Sequence, residues 1–383
     1  MKNRFITVLV FSDYYLPGYK GGGPIKTVKN LFDQVGEEIS FKLITLNHDL
    51  EDTVPYSDIE SDVWNTVGNA KVFYISRGTA GYKQIIKIML ERGYQVIYLN
   101  SFFSPTFSLL PLLIAKSLRQ KVVLGPRGEF SEGALKLKSQ KKNVFIKMYK
   151  LLGLHHGVIY QASSNYEADD IKRVLGANVD IQIAEDIGAQ QFSDTLILRE
   201  TDNLKIVFVS RISPMKNLLL ALEILKNVRQ TVSYDIYGPI EDQEYWVKCE
   251  SVIDSLPSNI QVNYRGELRP EEVIDTISTY DLFFMPTKGE NYGHVIAEAL
   301  CAGLPLLIAD TTPWRNLQKQ GIGWDLSLIN PEAFSTVIDE LAIMPSKEHH
   351  QMREKVLAWA KNKFNQRDAI DANIAMFKYA ANK

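Results

Sequence analysis

Cysteine is nearly absent. The chain has two, Cys249 and Cys301, far apart and both within helical patterns. That excludes a disulfide framework and a thiolate zinc site, and it suits a reducing cytoplasm. Charge of one sign is not in excess either: 43 Lys and Arg stand against 45 Asp and Glu, a formal charge of −2. Near-neutral balance argues against a nucleic-acid binder. No long apolar run is present. The opening stretch to Phe11 stops at Ser12-Asp13 without a small-residue cleavage site, so it reads as a first strand and not as a signal peptide. The stretch from Ser101 to Leu118 is broken by Pro105 and Pro111. Nothing reaches the roughly 20 apolar residues that a bilayer span requires. The glycine fingerprint of dinucleotide binding is missing, which places hydride transfer last among the candidate chemistries.

What is present is a 383-residue chain, 45% hydrophobic and 23% charged, long enough for two domains of ordinary size. Its pattern is βαβα twice over, with no shorter repeat. Residues 1–186 form the first domain. Strands are expected at 5–11, 41–46, 71–75, 95–99, 121–124, 158–161 and 179–184, and helices at 25–35, 82–92, 105–118 and 164–175. Residues 187–203 lack periodicity and read as a linker. The second domain spans 204–365, with strands at 204–210, 234–238, 260–264, 281–285 and 304–308. Its helices are expected at 218–228, 243–255, 331–344 and 346–363. Residues 366–383 are expected to cross back and complete the first domain.

One stretch organises the rest: Pro286-Thr-Lys-Gly-Glu-Asn-Tyr-Gly-His-Val-Ile-Ala-Glu-Ala-Leu-Cys-Ala-Gly-Leu-Pro305. A buried strand ends, a polar loop with two glycines follows, and a helix of small and apolar residues begins. Glu290 lies in the loop and Glu298 in the helix, two turns beyond its start. Amides of Asn291, Tyr292 and Gly293 at a helix N-terminus suit an anion. The two carboxylates would repel a phosphate but accept short hydrogen bonds from hydroxyls. A phosphate flanked by hydroxyl-rich groups describes a nucleotide sugar. Glu290, seven intervening residues and Glu298, with Tyr292-Gly293, Ala299-Leu300 and Gly303-Leu-Pro305, resemble the signature of the retaining glycosyltransferases of family 4. The plainer alternative is an amphipathic helix whose acids face solvent.

The resemblance implies an α/β chain of the GT-B class: two facing Rossmann-like domains with a deep interdomain cleft. It implies donor binding by Glu298 on the ribose hydroxyls, by Glu290 on the transferred sugar and by backbone amides from Asn291 through Tyr292, Gly293 and His294 to Val295. Arg211 and Lys216, two cations closing the strand at 204–210, would grip the diphosphate, one as a fixed fork and one as a flexible point charge. The nucleobase would lie against Arg265, Gly266 and Leu268. In the first domain, Gly21-Gly22-Gly23-Pro24 forms a glycine-rich strand-to-helix turn that permits close backbone approach. Gly22 and Gly23 are its donor-side members, with Asp13 and Lys20 on the acceptor side. The turn Pro126-Arg127-Gly128 stands where many related enzymes carry a histidine. Arg127 would neutralise the leaving diphosphate or hold an acceptor group; it cannot serve as a base, and Glu129 is the nearer candidate for that work.

The expected reaction is transfer of a sugar, with retention, from a nucleoside diphosphate donor to a hydroxyl of a glycan or lipid-linked acceptor in bacterial surface polysaccharide synthesis. A UDP-sugar is expected ahead of a GDP-sugar. No Asp-x-Asp cluster sits where a metal would bridge phosphates, so no metal or other cofactor is expected. The alternatives are a nucleotide-sugar epimerase on the same scaffold and a non-catalytic nucleotide-sugar-binding protein. Residues 135–152 are rich in lysine, and Val144, Phe145, Met148, Leu151 and Leu152 share one helical face. A basic amphipathic helix of this kind can rest on an anionic membrane. The expected location is therefore the cytoplasm, at the inner face of the plasma membrane; the bland alternative is a domain helix with solvated lysines.

Overall fold

The computed structural model describes residues 6–136, 139–188, 191–199, 203–365 and 367–383. The chain divides into two compact units, Met1–Ile187 with Arg367–Lys383, and Gly188–Gln366. In the first, β1 (Ile6–Phe11), β2 (Ile39–Leu46), β3 (Trp64–Val67), β4 (Ala70–Ile75), β5 (Val96–Leu99), β6 (Lys121–Leu124), β7 (Val158–Ala162) and β8 (Asp180–Ile183) make one sheet. Their order is β3-β4-β2-β1-β5-β6-β7-β8. Neighbours are parallel except β3, which runs antiparallel to β4. Parallel strands carry helices on both faces and so read as unbroken apolar runs. β5 and β7 are buried at every position. The strand order reverses between β1 and β5, which is where open α/β sheets bind ligands.

The second unit repeats the plan. β9 (Leu204–Val209), β10 (Val232–Tyr237), β11 (Ile260–Gly266), β12 (Leu282–Met285), β13 (Leu306–Ala309) and β14 (Gly323–Leu326) form a parallel sheet. Its order is β11-β10-β9-β12-β13-β14, with the reversal between β9 and β12. Both units are Rossmann-like, as the sequence pattern implies.

The structure departs from the sequence reading in several places. The edge strands β3 and β14 have only four residues each, partly exposed, and show no pattern strong enough to announce them. The helix expected at 82–92 runs Thr79–Leu90. The segment expected as one helix at 105–118 is a π-turn, Pro105–Leu109, followed by a helix over Leu110–Ser117. The Ser104 hydroxyl accepts from Phe107 N at 3.1 Å to start it, and the wider turn places Pro111, which has no N–H, in a first turn where none is required. Within the 187–203 segment, Ile187 lies in the core of the first unit, while Ser193 and Arg199 bind the second: Ser193 N donates to the Cys301 carbonyl at 3.0 Å and Arg199 Nη1 to that of Leu341 at 2.9 Å. The helix Asp368–Asn382 returns to the first unit, where Phe377 packs edge-on against Phe41 and Tyr98.

The lysine-rich segment forms helices Glu132–Lys136 and Ser139–Leu151, with Leu137 and Lys138 outside the described residues. Its inward face is Ile146 and Tyr149, with Phe145 packed beside them. Four of the five residues expected to share one helical face are exposed: Val144 is 57% exposed, Met148 56%, Leu151 87% and Leu152 64%. No helix of the described residues is long and apolar enough to cross a membrane.

Candidate functional site

The reversal between β9 and β12 concentrates chemistry in the second unit. The loop after β9 carries Arg211 and Lys216, and the loop after β12 carries Glu290 and the N-terminus of the helix His294–Cys301. The two loops are laced together. Asn217, left-handed at φ 62°, donates through Nδ2 to the Pro286 carbonyl at 2.9 Å. Lys288 N donates to the Met215 carbonyl at 2.9 Å, and the Thr287 hydroxyl donates to the same oxygen at 3.2 Å. This lacing brings Lys216 Nζ to 2.6 Å from Glu290 Oε1, with only 16% and 10% of the two side chains exposed. Gly238, at φ 134°, closes β10 against the same region: a Cβ there would lie 2.0 Å from the Ser210 carbonyl oxygen.

The other predicted residues of this unit fall around that pair. Arg211 turns to Glu241, Nη1 to Oε1 2.9 Å, both side chains 37% exposed. Gly293 caps the helix at φ 81°, a conformation that glycine adopts without strain. The Tyr292 carbonyl accepts from Trp314 Nε1 at 2.5 Å, and the Tyr292 ring packs on His294. Val295 packs against the core. Glu298 lies about one turn into the helix, not two, because the helix begins at His294; it is 6% exposed. Its charge and, above all, burial push the neighbouring Cys301 thiol up to about 12. Arg265, at the end of β11, donates from Nε to Asp235 at 2.9 Å. Gly266 accepts from Gly238 N through its carbonyl at 2.8 Å, and Leu268 packs on the core.

The first unit treats its predicted residues differently. Arg127, left-handed at φ 56°, is turned inward. Its Nε donates to Asn100 Oδ1 at 2.7 Å, Nη1 pairs with Asp186, and Nη2 reaches the Tyr98 hydroxyl and Gln161 Oε1. The side chains of Arg127 and Asp186 are 7% and 2% exposed. The donors of Arg127 are thus committed to the interior, and the side chain braces the turn after β6. Glu129 accepts from Phe102 N at 2.5 Å and from the Ser101 hydroxyl at 3.0 Å, and burial raises its carboxyl to about 7. Asp13 accepts from the Ser104 hydroxyl at 2.8 Å, which joins the loops after β1 and β5; burial raises its carboxyl too. Gly22, at φ 67°, caps the helix Gly23–Val35, whose first residue is Gly23. Lys20 Nζ pairs with Asp52 at 2.8 Å.

Sequence reasoning missed several partners. Asp49, 3% exposed after β2, accepts from Tyr19 N at 2.7 Å and Lys20 N at 3.1 Å and so pins the glycine-rich loop. Glu167 accepts from Gly128 N at 2.7 Å and Ser163 N at 2.8 Å. Asp186 and Glu241 anchor the two arginines. Each acts across a long sequence separation; the available signal was a polar residue just past an apolar strand.

Residues 193–359 match the family model described as Glycosyl transferases group 1. The match covers most of the second unit, including Arg211, Lys216, Glu290 and Glu298. An uncharacterized 41.2 kDa protein of the cps region of Klebsiella pneumoniae is 24% identical over 77% of this chain and 81% of its own length. Among solved structures, Anabaena HepE in complex with UDP and glucose superposes with a TM-score of 0.72 at 14% identity. The sucrose-phosphate synthase of Thermosynechococcus elongatus does so with 0.74, also at 14% identity; each match covers 99% of this chain and 100% of the other. The fold is that of the GT-B glycosyltransferases, and residues 193–359 resemble glycosyl transferases group 1.

Proposed function

We propose that this chain is a retaining, metal-independent glycosyltransferase of family 4, moving a hexose from a UDP-sugar to a hydroxyl of a glycan or lipid-linked acceptor. The observation that carries the reading is the Lys216–Glu290 pair at the strand reversal of the second unit, beside a helix N-terminus. Two cations and oriented amides suit a departing diphosphate, and a carboxylate suits sugar hydroxyls. Arg211 and Lys216 would exchange their carboxylate partners for phosphate oxygens as the donor binds. Glu298 would hold the ribose. The departing phosphate oxygen would take the acceptor proton, so the chemistry needs no separate base. Asp13 and Lys20 of the first unit would serve the acceptor, with Glu129 shaping the loop at Ser101–Phe103. The complexes of Anabaena HepE with UDP and with UDP-glucose support the donor class, and the cps-region relative supports surface polysaccharide synthesis.

The exposed face of the helix Ser139–Leu151 would rest on the inner face of the plasma membrane. Its apolar residues Val144, Met148 and Leu151, with Leu152 just beyond, are bordered by the exposed Lys141, Lys147 and Lys150. The test is a transfer assay with UDP-glucose, other UDP-sugars and GDP-sugars, with chelator present, against lipid-linked and free glycans. Nucleotide release with an α-linked product from an α-linked donor, read by proton NMR, is the expected result. An inverted linkage refutes retention. Isomerised donor without acceptor would make the chain an epimerase.

A further inference from the structure

At the opposite end of the first sheet from these loops lies a cavity of about 330 Å³. It opens where the chain enters β7 and β8, and its wall includes His155, His156, Asn178, Asp180 and Lys383. The two histidine rings lie together, centroids 3.9 Å apart. His155 Nδ1 is buried with no hydrogen-bond partner. Two further cations flank the wall. Lys116 Nζ donates to the His156 carbonyl, and Lys150 Nζ to the Val174 carbonyl at 3.1 Å. Among the described residues neither lysine pairs with a carboxylate. Asp180, the acidic side chain of the wall, is already neutralised by Lys383 Nζ and bonded by the Tyr379 hydroxyl at 3.0 Å. With Lys383 and Asp180 offsetting each other, Lys116 and Lys150 leave the surroundings of the wall positive, beside a buried imidazole nitrogen left without a partner.

A cluster of this sign, with an unused polar atom, is a site for an anion. Burial, and then the positive neighbours His156, Lys150 and Lys116, hold the His155 imidazole below its ordinary range. An anion in the cavity would reverse that shift. The cavity wall is also continuous in sequence with the exposed apolar residues: Leu151 and Leu152 run into Gly153, Leu154 and His155. An anion whose remainder is apolar fits both features at once. We propose that this cavity is a headgroup site for the phosphate of an anionic membrane lipid, reached by way of the Leu151–Leu152 edge. This rests on the reading of that helix face as the membrane contact.

The experiment uses the full chain and two probes: vesicles of phosphatidylglycerol in phosphatidylcholine, and soluble glycerol 3-phosphate. His155→Ala and Lys150→Ala should each weaken binding to the phosphatidylglycerol vesicles about fivefold, the effect of one basic group at an anionic surface, and leave binding to pure phosphatidylcholine unchanged. His155→Gln is the second variant should the alanine fail to fold. Glycerol 3-phosphate should shift the His155 ring signals in NMR and move their titration upward. Wild-type vesicle binding by the pocket variants overturns the proposal, and if glycerol 3-phosphate still shifts His155, the site takes a soluble phosphate. Leu151→Asp with Leu152→Asp separates the underlying reading. If those changes leave vesicle binding intact, the membrane face is wrong; if they abolish it while the pocket variants bind normally, only the headgroup site is wrong.

Discussion

The two sheets reverse direction at matching points, β1 to β5 and β9 to β12, and they handle charge there in opposite ways. In the first unit the arginine after β6 is locked inside by Asp186, Asn100, Tyr98 and Gln161. In the second, Lys216 and Arg211 each meet one carboxylate in a pair that keeps some contact with solvent. A cation with four interior acceptors cannot change partners without breaking the fold. A cation with one partner at the rim can. A basic residue at a strand end is therefore locked into the scaffold in one unit and held by a single partner in the other.

The sharpest test of that contrast is Arg127→Ala. It strands the Asp186 carboxylate in the interior, so the first unit should lose about 3–5 kcal/mol in urea unfolding. Intact stability with abolished transfer would break the comparison and return Arg127 to the reaction. A smaller effect is expected at Glu129. Its carboxyl is held at about 7 in the folded chain against an ordinary 4.5, so the folded state binds the proton more tightly. The stabilisation is complete below pH 4.5 and is lost as pH rises to 7. Relative to Glu129→Gln, the wild type should lose roughly 3 kcal/mol across that window; parallel stability curves would show that the carboxyl is not held up. The smallest stability change is expected for Lys216→Ala, on the order of 1 kcal/mol, while transfer falls about 100-fold. Unaltered transfer would remove Lys216 from the donor site.

The sheets were legible because buried parallel strands announce themselves. Phe5–Phe11 and Leu204–Ser210 are predominantly apolar, and their observed strands differ from those spans by a residue or so among those described. The edge strands β3 and β14 were not, since half-exposed four-residue segments carry little pattern. Glu290 and Lys216 were found by motif, yet nothing in the motif said that they would touch. That contact depends on Asn217 reaching back to Pro286, a tertiary bond. The inward turn of Arg127 was not legible, because its direction is set by a left-handed backbone and by Asp186, 59 residues on. The helix Ser139–Leu151 was recognised as amphipathic, but that Tyr149 and Phe145 would turn inward depended on the aromatic pocket of Phe102 and Phe130 that received them.

The returning helix Asp368–Asn382 has a consequence for biosynthesis. On the ribosome every strand of the second unit is made before Phe377 emerges to cover Phe41 and Tyr98. The half of the molecule that is translated first must therefore wait, with one flank of its sheet bare, for the half translated later to pass by. A chain cut short at residue 366 would keep its later half whole and expose the earlier one to chaperones and proteases.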